Sequence, residues 1–220
     1  MAEIDFLQTV HTRTPRNYVQ RVVEYDKAEC ATVAGQFGFD YWDGDRKYGY
    51  GGYKYDGRWQ AVAKRLVEHY QLKPGATILD VGCGKGFLLH DLKAAVPDAR
   101  VKGIDISAYA IEHALEDVKG DLTVGSAAKL PYPDKSFDLV VSINTLHNLR
   151  VADLDSALRE IERVGRGGKY LVVDTYRNEH EKVNLLYWQL TCQCFYKPED
   201  WEWWFTRTGY SGDHSYVWFE

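Results

Sequence analysis

The chain has 220 residues, 45% of them hydrophobic and 27% charged, which is an ordinary composition for a globular protein with a substantial core. Its net charge of −5 offers no general basic surface for a phosphate backbone, so we do not expect nucleic acid as a partner. No apolar run approaches the roughly 20 residues that span a bilayer, and the first residues lack the basic and apolar regions of a signal peptide. We therefore predict a cytoplasmic protein without a membrane partner.

The cysteines give no indication of a metal site. Cys30, Cys83, Cys192 and Cys194 form no C-x-x-C pair. Cys192 and Cys194 also lack a second ligand pair at the spacing of a zinc finger. We expect reduced thiols and no bound metal.

Residues 1–70 precede the region of alternating strands and helices. Glu3–Ala34 has apolar residues at near-helical spacing, with Pro15 suited to a first helical turn, and predicts one or two helices. Phe39–Trp59, which we call the aromatic loop, is rich in tyrosine and tryptophan, has no sustained period and predicts an ordered loop or short hairpin. A helix over 60–70 follows. We interpret residues 1–70 as a helical and aromatic-loop extension that forms the lid on the substrate side.

Residues 71–220 alternate between strands and helices, which predicts a parallel α/β sheet covered by helices. Segment 177–197 interrupts this alternation and is treated as an insertion with a helix around 183–190. The predicted strands are 77–82, 100–106, 121–125, 137–143, 169–175 and 215–219, and the other predicted helices are 87–96, 108–118, 153–164 and 198–208.

The most informative stretch is Thr77–Leu89, TILDVGCGKGFLL, in which a β-branched strand breaks into glycines before a helix. Glycine lets the backbone take positive φ and lets a ligand approach the N–H groups at the start of that helix. The spacing Gly82-x-Gly84-x-Gly86 differs from the G-x-G-x-x-G fingerprint of dinucleotide sites, which argues against NAD. Asp105 ends the next strand about 20 residues after the turn, where a carboxylate can accept hydrogen bonds from ribose hydroxyls.

Three motifs in this order, ILDVGCGKG, GIDIS and GSAAKLPYPDKSFDLVVSINTLHNL, resemble those of class I S-adenosylmethionine (SAM)-dependent methyltransferases that act on small molecules. The resemblance covers about Leu72–Tyr176. It implies a Rossmann-like, mostly parallel sheet of six to seven strands with helices on both faces, SAM as cofactor and S-adenosylhomocysteine as product. In family members the last helix is usually followed by two strands, whereas only about a dozen residues follow Gly209 here. The sequence therefore leaves open whether the sheet has six strands or seven.

The resemblance also implies cofactor contacts. Asp80 would contact the methionine amino group, Asp105 would hold the ribose hydroxyls and Ile106 would pack on the adenine. Many relatives carry an aspartate after the third strand where this chain has Ser126, so adenine recognition would depend more on the backbone of Ala127. The remaining cofactor positions are Gly82, Cys83, Gly84 and Asn144, with Cys83 as a packing group rather than a nucleophile.

A sulfonium methyl group is a strong electrophile, so such an enzyme needs mainly to align the nucleophile and exclude water. The aromatic loop is the predicted lid, because tyrosine combines apolar area with a hydroxyl group. Its mixture of acidic and basic residues fits a zwitterion, a carboxylate or a phosphate and does not choose the substrate. Within the loop we assign Tyr50 and Tyr53 to catalysis and Tyr41, Trp42, Tyr48 and Tyr55 to substrate binding.

Two residues after later strands complete the predicted site. His147 follows the fourth strand and could remove a proton from the nucleophile, since the unperturbed pKa of histidine lies near the working pH. Arg177 leaves the fifth strand on the cofactor side and is assigned to substrate binding. The aromatic residues of 188–204 are a further candidate wall for the acceptor pocket.

The leading interpretation is methyl transfer from SAM to an oxygen, nitrogen or carbon of a small metabolite. An enzyme that cyclises or cleaves SAM, and a SAM-binding regulator without turnover, are the alternatives. We expect a small-molecule substrate and leave open whether the protein forms a homodimer.

Overall fold

The computed structural model describes residues 1–11 and 16–220, so the predicted first-turn residue Pro15 lies outside the described residues. The described chain builds a six-stranded sheet in which every neighbouring pair of strands is parallel. The strands are β1 Thr77–Val81, β2 Arg100–Asp105, β3 Leu122–Val124, β4 Phe137–Ile143, β5 Gly165–Asp174 and β6 Asp213–Val217. They lie in the order β3-β2-β1-β4-β5-β6.

Helices cover both faces of this sheet, because parallel strands need crossover connections that return over a face. The helices are α1 Gln8–His11, α2 Tyr18–Glu24, α3 Lys27–Ala34, α4 Phe39–Trp42, α5 Gln60–His69, α6 Phe87–Ala95, α7 Ala108–Glu112, α8 Glu116–Lys119, α9 Val151–Val164, α10 Glu179–Trp188 and α11 Pro198–Thr208. Leu66 of α5 and Leu89 of α6 pack in the core on one face, and Leu158 of α9 and Trp201 of α11 in the core on the other. None of the helices within 1–11 and 16–220 is long and apolar enough to cross a bilayer. The predicted α/β, Rossmann-like architecture is confirmed.

Several element boundaries differ from the predictions. The predicted helix 108–118 is divided into α7 and α8 by a turn at residues 113–115. Helix α10 begins earlier than predicted because the Asn178 side chain accepts a hydrogen bond from the Glu181 N–H at 3.0 Å and caps the first turn. The aromatic loop contains the short helix α4 and no strand among its residues.

The first residues of the chain lie along the outer edge of β6. Glu3 and His214 form a parallel bridge. The N–H of Ile4 donates to the carbonyl of His214 at 2.8 Å, and the His214 N–H donates to the carbonyl of Ala2 at 3.0 Å. The Tyr170 hydroxyl on β5 donates to the carbonyl of Ile4 at 3.0 Å. This segment therefore pairs backbone groups that an edge strand otherwise leaves open.

Candidate cofactor and acceptor site

The glycine turn joins the carboxyl end of β1 to α6. Gly82, Gly84 and Gly86 have φ of 84°, 52° and 75°, a left-handed conformation that glycine adopts without steric cost. A Cβ at Gly82 would lie 1.9 Å from Oγ1 of Thr145, so this position has no room for a side chain. The Gly82 N–H donates to the carbonyl of Ile104 at 2.7 Å, which ties the turn to the end of β2.

Asp105 at the end of β2 holds the turn from the other side. Its Oδ2 accepts a hydrogen bond from the Gly84 N–H at 2.8 Å, and its Oδ1 accepts one from the Ser107 N–H at 2.8 Å. Burial raises the pKa of Asp105, and the backbone hydrogen bonds oppose that rise. Each oxygen of an ionised carboxylate has more than one lone-pair site, so both can accept a further hydrogen bond from a ligand hydroxyl.

A small cavity of about 60 Å³ lies over the turn, and we call it the glycine-turn cavity. Asp80 faces it from β1 with a side chain that is 4% exposed, and none of the described residues donates a hydrogen bond to its carboxylate. Burial and the nearby charge of Asp105 raise the pKa of Asp80 to about 8. The cavity is lined by Trp42, Tyr50, Tyr53, Trp59, Asp80, Gly82, Cys83, Gly84, Phe87, Leu88, Ile143 and Asn144.

Asn144 directly follows β4 and offers a second open acceptor. It has a left-handed φ of 56°, and its N–H donates to the carbonyl of Val172 at 3.0 Å. Its side-chain Oδ1 is buried without a hydrogen-bond partner. A buried polar atom left unpaired costs free energy, so Oδ1 and the Asp80 carboxylate together fit a cationic donor such as the ammonium group of a methionine.

An aromatic stack covers the turn. The Trp42 and Tyr50 rings stack with centroids 5.3 Å apart, Tyr50 and Tyr53 lie 4.5 Å apart, and Tyr53 stacks on Phe87 at 4.8 Å. The Trp42 indole N–H donates to the Ser107 hydroxyl at 2.9 Å. The aromatic loop thus lies over the glycine turn.

A buried ion pair that the sequence did not indicate fastens the aromatic loop to the turn. The Lys85 ammonium lies 2.7 Å from a carboxylate oxygen of Asp43 and donates to the carbonyl of Tyr53 at 3.0 Å. The Tyr109 hydroxyl donates to Asp43 at 2.8 Å. Lys85 is buried and lies within the glycine motif. Its place in that motif was the only feature of the sequence that pointed to a role for this residue.

A second cavity of about 380 Å³ adjoins the first, and we call it the large cavity. Tyr50, Tyr53, Trp59 and Asn144 line both cavities and form the junction between them. The residues that line only the large cavity are Val10, Arg16, Arg21, Tyr41, Arg46, Gly49, Gly52, Lys54, Arg58, His147, Asn148, Asp174, Trp188, Gln189, Leu190, Thr191, Val217 and Phe219.

His147 lines the large cavity as half of a buried pair. Its Nδ1 accepts a hydrogen bond from the Asp174 N–H at 3.1 Å, and its Nε2 lies 3.4 Å from Oδ2 of Asp174. Nδ1 must therefore be unprotonated, and the proton sits on Nε2. Burial lowers the pKa of His147, and burial raises the pKa of Asp174. The imidazole is thus neutral at pH 7 with its lone pair already engaged.

The three tyrosines of the aromatic loop that line the large cavity hold their protons. Burial raises the pKa of Tyr41, Tyr50 and Tyr53 above the ordinary value of tyrosine. At neutral pH these side chains are phenols, which can donate hydrogen bonds and offer aromatic faces but cannot act as bases.

Three predicted substrate contacts lie outside the two cavities. The Tyr55 hydroxyl donates to Asp91 at 2.5 Å, and the Tyr48 ring lies against the Lys47 ammonium, 4.7 Å from the ring centre. Arg177 forms ion pairs with Glu181 and Glu220. Because local partners hold these side chains away from the junction, we do not include them in the proposed site.

The predicted adenine contacts lie beside Asp105 at the carboxyl edge of the sheet. Ile106 is 60% exposed, Ser126 is exposed and Ala127 is buried. Ser126 follows Gly125, whose N–H donates to the carbonyl of Asp105 at 2.8 Å. Of the aromatic residues predicted to wall the acceptor pocket, Trp188 lines the large cavity, whereas Trp201 and Trp204 are core residues. In the part of the chain that the structure describes, no group of three or more His, Cys, Asp or Glu side chains could hold a metal ion.

Residues 79–173 match the family model described as a methyltransferase domain. A demethylmenaquinone methyltransferase of Symbiobacterium thermophilum is 35% identical over 127 residues, which are 54% of this chain and 50% of that protein. Phosphoethanolamine N-methyltransferase 3 of Arabidopsis thaliana is 33% identical over 127 residues, which are 53% of this chain and 24% of that protein. The solved structure of the YcgJ protein from Bacillus subtilis has a TM-score of 0.56 and 23% identity and covers 66% of each chain.

The chain thus spans half or less of the length of these two relatives. The matched segment 79–173 includes Gly82, Gly84 and Asn144, which line the glycine-turn cavity. It also includes Asp105, whose carboxylate accepts a hydrogen bond from the Gly84 N–H. The resemblance inferred from the motifs is therefore confirmed over residues 79–173, the segment that matches the methyltransferase-domain family.

Proposed function

We propose that this protein binds SAM over the glycine turn and transfers its methyl group to an oxygen, nitrogen or carbon of a small molecule held in the large cavity. The observation that carries the proposal is the junction, where Tyr50, Tyr53 and Asn144 line both cavities. A methyl group presented from the glycine-turn cavity would meet an acceptor there.

The residues around the turn fit SAM by charge and hydrogen bonding. The Asp80 carboxylate and the unpaired Oδ1 of Asn144 are suited to the methionine ammonium. Asp105 is suited to the ribose hydroxyls, and Ile106, Ser126 and Ala127 lie where the adenine would follow. SAM supplies a methyl group on a sulfonium sulfur, which needs alignment rather than activation.

The remaining catalytic tasks fall to the lid and the buried pair. Tyr50 and Tyr53 exclude water, and their aromatic faces stabilise a cationic centre by roughly 0.5–2 kcal/mol each. The sequence predicted that His147 itself removes the proton, but its Nδ1 already accepts a hydrogen bond from the Asp174 N–H. In the proposal, Asp174 takes the proton of an O–H or N–H nucleophile, and His147 positions the Asp174 carboxylate.

The activities named for the relatives, on demethylmenaquinone and phosphoethanolamine, support a small-molecule acceptor. Action without a metal and a cytoplasmic location remain predictions. So does the division into a substrate-side extension at 1–70 and a SAM-binding core at 71–220 with an insertion at 177–197.

The test is product analysis with SAM in the presence and absence of a panel of small metabolites. The proposal expects S-adenosylhomocysteine and a methylated product only when an acceptor is present. Methylthioadenosine from SAM alone would instead support the cleavage alternative, and calorimetric binding of SAM without turnover across the panel would support a regulator. A rise in melting temperature with NADH but not with SAM would contradict the cofactor assignment.

A further inference from the structure

Three arginines from separate segments surround the indole of Trp188 on the wall of the large cavity. Arg21 belongs to α2, Arg16 lies just before it and Arg46 belongs to the aromatic loop. Their guanidinium carbons lie 5.7 Å (Arg16), 4.8 Å (Arg21) and 5.4 Å (Arg46) from the centre of the Trp188 ring. All four residues line the cavity. Their convergence places three positive charges around one aromatic surface.

None of the three guanidinium groups forms an ion pair with a carboxylate of the described residues. A guanidinium has five N–H donors, and one or two are used here in each case. Each arginine therefore retains donors that can face the cavity. The hydrogen bonds that are made go to main-chain carbonyls, namely those of Trp218 for Arg16, of Trp188 and Lys47 for Arg21 and of Gly49 for Arg46.

The arrangement is electrostatically unfavourable without a counter-charge. Burial lowers the pKa of Arg21 and of Arg46, and the proximity of Arg46 lowers that of Arg21 further. Like charges that are partly removed from water repel one another, whereas an anion between them would be attracted to each. The chain has a net charge of −5, so this concentration of positive charge does not follow from its composition.

Arg58 provides an internal comparison. It lines the same cavity, but its guanidinium pairs with both carboxylate oxygens of Asp56, the closest contact being 2.6 Å. The lack of a direct ion pair is thus a property of the cluster around Trp188 and not of every arginine on the wall. Asp174 lies on the same wall, and the charge of Arg16 opposes the rise in the pKa of Asp174. Apolar groups adjoin the cluster, since Val217 and Phe219 line the cavity and Arg16 lies 4.6 Å from the Phe219 ring centre.

We propose that the acceptor carries an oxyanion, a carboxylate or a phosphate, which Arg16, Arg21 and Arg46 hold beside Trp188 while its nucleophile lies at the junction. Guanidinium groups match the geometry of both oxyanions with paired N–H donors, and their contact with an indole preorganises them. This inference rests on the proposed function, because it names the substrate class of the same site.

The test measures binding by calorimetry to the full chain in the absence of SAM, so that it does not depend on methyl transfer. The probes are phenyl phosphate, benzoate and uncharged benzyl alcohol, which share an aromatic ring. We expect the two anionic probes to bind at least about tenfold more tightly than benzyl alcohol, because hydrogen bonds to a charged group stabilise their complexes. The stronger of the two anionic probes identifies whether the site prefers phosphate or carboxylate.

We expect Arg21→Gln and Arg46→Gln each to weaken binding of the preferred anionic probe about tenfold. Arg58→Gln removes the same charge from the same cavity and should weaken that binding less than about twofold. Melting temperatures establish that each variant is folded. Among the described residues, the only hydrogen bond of the Arg46 side chain goes to the Gly49 carbonyl, so Arg46→Gln decides the question if Arg21→Gln fails to fold.

Equal binding of benzyl alcohol and the anions, or an equal effect of Arg58→Gln and Arg46→Gln, would overturn the proposal. A loss of SAM affinity in Arg46→Gln with unchanged probe affinity would also overturn it and assign the arginines to the methionine carboxylate. A separate titration of the unmodified protein with SAM tests the proposed function. A protein that binds SAM but not the anionic probes contradicts only this inference. A protein that binds the probes but not SAM contradicts the proposed function.

Discussion

Two carboxylates at adjacent strand ends have different surroundings. Asp105 accepts two backbone hydrogen bonds that fix its orientation, whereas Asp80 is buried without a donor among the described residues. The first arrangement positions an acceptor for a neutral hydroxyl, and the second leaves a site that a cation completes. The same residue type therefore serves two purposes because of what each side chain contacts.

Asp80 should make the stability of the free protein depend on pH. Its pKa is about 8 in the fold and near 3.8 when unfolded, so between these values the native state binds more protons than the unfolded state. Stability therefore falls as pH rises from about 4 to about 8, by up to roughly 1.4 kcal/mol per pH unit. Asp80→Asn should remove this component, which urea unfolding at pH 5, 6.5 and 8 measures. Parallel pH profiles for the two proteins would contradict the assignment.

Asp105→Asn should weaken SAM binding without unfolding the protein. The amide keeps the shape of the side chain but has one acceptor oxygen in place of two, so it cannot serve both backbone donors and a ribose. We expect a loss of about 10- to 100-fold in affinity by calorimetry, the range for hydrogen bonds to a charged group. Asp155→Asn, on the surface of α9, is the matched control. An unchanged affinity would exclude the ribose role.

The residues of the glycine turn were predictable from sequence because their spacing is local and their backbone conformation demands glycine. The arginines around Trp188 were not, since Arg16, Arg21 and Arg46 meet Trp188 only after the chain has folded. Nothing in their local sequence distinguishes them from Arg58, which is paired within its own turn.

The aromatic loop shows how a segment without periodicity becomes ordered. The Asp43 carboxylate accepts hydrogen bonds from Lys85, Tyr109 and the Tyr53 N–H, so one side chain joins the loop to α7 and the glycine turn. The sequence predicted an ordered loop or short hairpin there, but the anchoring ion pair spans 42 positions and has no local signature. Strands and long helices were recovered because their apolar periods are local.

Lys85→Met should release the aromatic loop. The pair is largely buried, with side chains 6% and 21% exposed, and removal of one partner leaves Asp43 without its cation. We expect a loss of about 2–4 kcal/mol in unfolding free energy and faster hydrogen exchange in Phe39–Trp59. Lys64→Met, which removes an exposed ion pair with Glu68, should cost less than about 1 kcal/mol. Unaltered exchange in the loop would show that the aromatic stack alone holds it.

At the scale of the whole molecule, residues 2–4 cover the outer edge of the sheet. The resemblance left open whether the sheet has six strands or seven, and the described residues form six. The backbone of Ala2–Ile4 occupies the outer side of β6 instead of a further strand. No apolar period marks this segment as a sheet partner, because a single bridge needs no alternating pattern.

Deletion of residues 2–5 should expose the β6 edge. The loss of the backbone hydrogen bonds to His214 and of the Tyr170 bond to Ile4 should lower stability by about 1–3 kcal/mol and increase light scattering on heating. Glu3→Ala keeps the backbone and should behave like the unmodified protein. If both proteins melt alike without aggregation, the bridge is dispensable.

The two cavities draw on different parts of the chain. The glycine-turn cavity lies at the ends of β1 and β4 and is also lined by the aromatic loop, whereas Arg16, Arg21 and Trp188 of the large cavity come from residues 16–24 and α10. Arg16, Arg21 and Trp188 do not line the glycine-turn cavity, so substitutions of these residues change the large cavity alone. Acceptor preference can therefore diverge between descendants of such a protein, or be redirected in the laboratory, by exchange of these peripheral segments on a conserved sheet.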